Sequence, residues 1–120
     1  MARLTLRIDL EGNGSIGPGK VRLLETIAEK GSIRSAAGAL RMSYKRAWML
    51  VNDLDETFGA PVVETETGGR AGGGARLSTR GAAIIKEYRS AERRATNAAR
   101  RAMTSLERLA STKRQRRTSR

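Results

Sequence analysis

The chain has 120 residues, of which 38% are apolar and only Tyr44, Trp48, Phe58 and Tyr88 are aromatic. That supports one small domain with a core of Leu, Ile, Val and Ala, a size at which dimerisation often buries further surface. Cysteine and histidine are both absent, which excludes disulfides, thiolate and imidazole metal sites, and the commonest general base. The formal net charge of +12 points to a polyanionic partner, but it is unevenly placed: Met1 to Ser78 carries 11 basic and 9 acidic residues, Thr79 to Arg120 carries 13 and 3.

The remaining carboxylates are scattered, so composition suggests neither a metal centre nor an enzyme. No apolar run approaches membrane-spanning length, and Met-Ala-Arg-Leu-Thr-Leu-Arg at the N-terminus lacks the pattern of a signal peptide. The expectation is a cytoplasmic protein with no membrane partner.

Leu4 to Leu10 alternates apolar and polar residues, the period of a strand with one buried face, and Glu11 to Ser15 follows as a turn. Gly14 to Val21 fits G-x-x-x-x-G-K, yet Val21 stands where a phosphate-binding loop needs a hydroxyl to hold Mg²⁺. The simpler reading is a helix start, because Pro18 has the backbone angle of a first helical turn already set. That helix, Lys20 to Lys30, places Val21, Leu24, Ile27 and Ala28 on one face with Leu23 beside them, and Gly31 ends it.

Ser32 and Ser43 each precede a helix and can accept a backbone N–H that would otherwise be unpaired. In the first of these helices Ala36, Ala37 and Leu40 face inward, and Arg41-Met42 makes the turn, at a place where many helix-turn-helix units carry glycine. In the second, Ala47, Leu50, Val51, Leu54 and Phe58 form the core stripe. Lys45, Met49, Asn52 and Glu56 lie opposite, with Tyr44 and Trp48 along one border and Arg46 on the other. Two capped helices around a tight turn, the second opening on Tyr44-Lys45-Arg46, have the shape of a helix-turn-helix whose second helix enters the DNA major groove. Lysine or arginine can donate to guanine, Asn52 can pair with adenine, and Met49 can touch a thymine methyl. An ordinary amphipathic helix with a solvated face is the competing reading, and a border tryptophan more often packs against a neighbouring helix than touches a base.

Pro61 to Thr67 and Ala75 to Leu77 read as strands around the glycine-rich loop Gly68 to Gly74, which contains Arg70. A hairpin directly after a recognition helix is a wing, and its glycines allow close approach of backbone to phosphate. From Ser78 or Thr79 a long helix runs to about Leu109. Ile85, Tyr88, Ala95, Ala99, Ala102, Leu106 and Leu109 recur at alternating three- and four-residue steps, with Glu92 the polar seam position. At ~1.5 Å per residue it is on the order of 45 Å long, more than so small a domain can cover. An apolar seam with a basic back pairs with another helix, most economically a second copy; a solvated helix is the alternative. Ser111 to Arg120 has five basic residues and no apolar one, the composition of a disordered tail.

Gly31-Ser-Ile-Arg-Ser-Ala-Ala37, Met42-Ser-Tyr-Lys-Arg-Ala-Trp48 and Thr67-Gly-Gly-Arg-Ala-Gly-Gly-Gly-Ala75, with Leu77 and Gly81, closely resemble the N-terminal DNA-binding domain of the ModE family. These are bacterial molybdate-responsive regulators whose domain is a relative of the LysR-type winged helix. Gly17-Pro-Gly-Lys20 also fits, and the likeness runs from Leu4 to about Leu109. The resemblance implies a dimer joined through the long helix and the N-terminal region, each third helix in a major groove, on an inverted-repeat operator. Family members continue into C-terminal molybdate-binding domains. This sequence runs instead into a basic tail, and nothing in it resembles the oxyanion-binding segment, so no cofactor is expected; control by a separate effector protein is one alternative, a stand-alone regulator another.

The expected fold is mainly α with a small β-wing: a winged helix-turn-helix with an N-terminal strand over residues 1–78, a long dimerisation helix over 79–110, and a disordered basic tail over 111–120. The expected partners are double-stranded DNA and a second copy through Thr79 to Leu109. The expected DNA contacts are Ser43, Tyr44, Lys45 and Arg46 at the recognition-helix start, Arg34 and Ser35 on the preceding helix, and Arg70 and Arg76 on the wing. The rival is a non-specific architectural nucleic-acid binder driven by the basic segment after Ser78.

Overall fold

The computed structural model describes residues 1–12, 14–66 and 73–118. The order is β1 (Ile8–Leu10), β2 (Gly14–Ile16), α1 (Pro18–Lys30), α2 (Ile33–Ala39), α3 (Tyr44–Phe58), β3 (Val63–Glu66), β4 (Gly74–Leu77) and α4 (Thr79–Thr118). Each strand pair is an antiparallel hairpin, β1 with β2 and β3 with β4, the latter in the register Val63 to Leu77 and Glu64 to Arg76.

The first strand is shorter than the alternation predicts. Burial does alternate from Leu4 to Leu10, but only Ile8–Leu10 finds a strand to pair with. The preceding residues run along α4: the Leu6 carbonyl accepts from the Tyr88 hydroxyl, and the Met1 amine lies 3.7 Å from Glu107. The glycine-lysine segment is no phosphate loop. Gly14–Ile16 is a hairpin strand, Pro18 opens α1, and Lys20 Nζ donates to the Ser15 carbonyl at 3.2 Å.

Helix α1 is central, packed against α2, α3, β4 and α4. Its buried arc is correspondingly wide: Val21, Leu23, Leu24, Thr26 and Ile27. Ala28, expected inside, is exposed, and Thr26 takes an interior place because its hydroxyl donates to the Arg22 carbonyl at 2.7 Å. Ile33, Ala36 and Ala37 of α2 and Ala47, Val51 and Leu54 of α3 complete that side of the core.

Helix α4 enters the core through Gly81, Ile84 and Tyr88; Ile84 rather than Ile85 is the buried isoleucine. Ser78 caps it, its hydroxyl accepting from the Gly81 amide at 3.1 Å and donating to the Pro61 carbonyl at 2.7 Å. Gly81 packs so closely on the Val62 carbonyl that a β-carbon would collide with it. The helix continues to Thr118, through most of the segment whose composition predicts a disordered tail. No proline or glycine follows Gly81, and Lys, Arg and Gln are good helix formers, so charge alone does not stop it.

Arg89 ties α4 to α1. Its Nη2 and Nε lie 2.7 and 3.1 Å from the two Glu25 oxygens, and its Nη1 lies 2.7 Å from Glu92, the polar seam residue. That hydrogen bonding holds the Glu25 carboxyl below its ordinary value, against a smaller opposing effect of burial. A carboxyl whose pKa is depressed in the folded state contributes stability above its unfolded value and loses it as pH falls through the folded one. Acid unfolding followed by circular dichroism should therefore show Glu25→Gln with a flatter loss of stability below about pH 4.5 than the parent. Parallel curves would mean the pair contributes nothing.

Candidate nucleic-acid interface

Three local devices build the surface around the start of α3. Ser32 Oγ accepts from the Ser35 amide and Ser43 Oγ from the Arg46 amide, each at 3.0 Å, fixing where α2 and α3 begin. Between them Arg41 has φ +57°, the only non-glycine residue in the left-handed region among those described. This is the turn position at which glycine is common, and the conformation explains why. The third device is the α1 terminus. Gly31 (φ +78°) donates to the Ile27 carbonyl at 2.8 Å, while its own carbonyl accepts from the Ala75 amide of β4 at 2.8 Å.

Tyr44, Lys45 and Arg46 are all exposed in the first turn of α3. That turn holds no acidic residue. Cations at the positive end of a helix oppose its dipole, at a cost of roughly 0.3–1 kcal/mol each, so the arrangement favours an external anion over helix stability. Arg34 of α2 comes to the same place: its guanidinium carbon lies 4.3 Å from the centroid of the Tyr44 ring. Trp48, one turn along α3, meets Tyr44 edge-on with centroids 6.2 Å apart. Trp48 itself is half-buried against the core. Core, Trp48, Tyr44 and Arg34 thus form a stack that holds an exposed guanidinium beside the recognition-helix start.

Ser35 is exposed, with its amide used in the α2 cap. The Lys45 side chain has no hydrogen bond or ion pair with another described residue, and the Arg46 side chain has none either. Arg76 stands on β4, but its Nε is 3.1 Å from Glu64 of β3, so a phosphate would have to compete with that carboxylate. Arg70 lies outside the described residues. The structure therefore gathers Arg34, Ser35, Ser43, Tyr44, Lys45 and Arg46 into one surface, with Arg76 on the adjoining hairpin. The contact of Arg34 with Tyr44 and the pairing of Arg76 with Glu64 depend on contacts between elements, which no local sequence pattern displays. Arg41 had a signal, an arginine where glycine is usual.

Three helices with the third exposed at its start, followed by a β-hairpin, define a winged helix-turn-helix domain. Residues 19–82 match the model of the bacterial regulatory helix-turn-helix proteins of the lysR family. That match spans more than half of the chain, and the chain belongs to this family. Among curated proteins it is 41% identical over 83 residues to the molybdenum-pterin-binding protein MopA of Rhodobacter capsulatus, covering 69% of this chain and 31% of that protein. It is 36% identical over 92 residues to the molybdenum transport protein ModE of Azotobacter vinelandii, covering 77% and 33%, and 36% identical over 87 residues to the DNA-binding transcriptional dual regulator ModE of Escherichia coli, covering 72% and 33%. The chain spans about a third of the length of these relatives. The fold is that of the CbnR DNA-binding domain, solved as a DNA complex, with a TM-score of 0.56 and 19% identity over 73% of this chain and 95% of that one.

The Ser43 cap can be separated from any contact made by its hydroxyl. Ser43→Ala should lower unfolding free energy by about 1 kcal/mol in urea titration, and Ser43→Asp should restore it. Equal stability of the alanine variant and the parent would mean the hydrogen bond does not set the start of α3.

Proposed function

We propose that the chain is a sequence-specific, ModE-like transcriptional regulator that binds double-stranded DNA as a homodimer on an inverted repeat. The observation that carries this reading is the exposed cluster of Arg34, Tyr44, Lys45 and Arg46 at the start of α3, held by two serine caps beside the wing. Lys45 and Arg46 supply donors for guanine edges or phosphates, Arg34 and Arg76 supply backbone contacts, and Ser35, Ser43 and Arg70 complete the surface. No catalytic group and no cofactor enters the reading, and its site of action is the cytoplasm. Leu106 and Leu109 on α4, 64% and 68% exposed, support pairing with a second copy through the part of the seam beyond the core, Ala95, Ala99, Ala102, Leu106 and Leu109.

The test is selection of duplexes from a random library by the full chain. An inverted repeat should emerge with one half-site per protomer. Lys45→Ala should lose about 1–3 kcal/mol of discrimination at one base pair of each half-site, with little change in affinity for unselected duplexes. A single unrepeated half-site would remove the dimer from the account, and no enriched sequence would remove the specific reader.

A further inference from the structure

Most of the chain's excess positive charge lies away from the reader. From Arg93 to Ser111 the sequence has five arginines and one glutamate, and that glutamate, Glu107, sits against the Met1 amine. At about 3.6 residues per turn, Arg93, Arg94, Arg100, Arg101 and Arg108 share roughly one third of the helix circumference. All five are exposed. Ala95, Ala99, Ala102, Leu106 and Leu109 take the opposite side, so pairing of two copies along that seam leaves the arginines facing out.

The stripe begins at the end of α1 remote from the reader. Glu25 meets Arg89, and Pro18 and Arg22 line one cleft with Arg93 and Arg100, so α4 runs antiparallel to α1 and leaves it at its first turn. The wing and the start of α2 are fixed at the other end, at Gly31. The 13 residues of α1 put about 20 Å between the two ends. The stripe therefore begins about one length of α1 away from that end.

Resting on the DNA-binding reading above, we propose that the arginine side of α4 is a second, sequence-independent surface for the DNA backbone, by which the protein holds a second duplex segment while the reader is occupied. The stripe has the chemistry of a phosphate surface. Asn97 and Thr104, which can donate to phosphate oxygens, lie between the arginines. Arg93, Arg94 and Arg101 make no ion pair with a described residue, and Arg100 donates to Asn97 at 2.8 Å. The tryptophan and tyrosine side chains that anchor many protein interfaces are absent from it.

The experiment immobilises a duplex recovered by the selection above, loads the full chain, and measures retention of a second, labelled duplex of unselected sequence across a salt series. The parent should retain the second duplex. The variant Arg93→Ala/Arg94→Ala/Arg100→Ala/Arg101→Ala, whose helix content circular dichroism should show unchanged, should still bind the immobilised duplex but retain roughly tenfold less of the second. Its log–log salt slope of retention should fall by about 0.9 for each phosphate the variant no longer neutralises. Undiminished retention by this variant, or no retention by the parent, overturns the proposal. Displacement of the second duplex by poly-glutamate as readily as by DNA of equal charge overturns the assignment to nucleic acid. Failure of the reader would register differently, as failure of the parent and the variant alike to bind the immobilised duplex.

Discussion

One peptide junction sets the geometry on which the surface around the start of α3 depends. Gly31 ends α1 in the left-handed conformation, its N–H closing the last turn on Ile27. Its carbonyl is the hydrogen-bond acceptor for Ala75 of the wing, and the next residue, Ser32, caps α2. The end of α1, the start of the helix-turn-helix and the wing are thereby fixed within two residues. Glycine is suited to that place because φ +78° disfavours a side chain. The rest of the chain secures this junction from a distance: α4 by Gly81 packed on Val62 and by Arg89 joined to Glu25, and the N-terminal segment by the Leu6 carbonyl on Tyr88.

The surface that results is locally unfavourable to the fold and suited to an anion. Lys45 and Arg46 oppose the α3 dipole, and Arg41 adopts a backbone conformation that glycine would take more easily. Exposed Tyr44 is held between Arg34 and Trp48, and Trp48 is anchored in the core. Rules broken at one place in an otherwise consistent chain mark where folding and binding make different demands. The arginine stripe of α4 is likewise poorly balanced in charge, a helix face on which five arginines share a segment with a single glutamate.

Local patterns make much of this legible from sequence. The serines at 32 and 43, the glycines at 31 and 59, and the apolar spacing of α3 are short-range signals, and the helices start and stop where those signals lie. Alternation from Leu4 to Leu10 correctly indicates which side chains turn inward, but not the extent of pairing, because pairing needs a neighbouring strand that only Ile8–Leu10 has. Ala28 and Ile84 depart from their expected sides for a related reason: α1 packs against four elements and α4 turns Ile84 and Tyr88 into the core, so the buried arcs are set by the neighbours and not by one idealised stripe. The end of α4 departs from expectation because dense charge suggests disorder, whereas helix propensity and the lack of proline and glycine favour continuation. At the site, the arginine at position 76 is visible in the sequence and its partner Glu64 is not, since that pairing depends on strand register.

The central claim is that the first turn of α3 enters a major groove. Guanine N7 lies on the floor of that groove, so protection from methylation there reports occupancy directly. On a duplex recovered by selection, the account predicts two clusters of protected guanines, one per half-site and about 34–36 Å apart along the DNA. Protection spread evenly along the duplex, or confined to minor-groove probes, would contradict it.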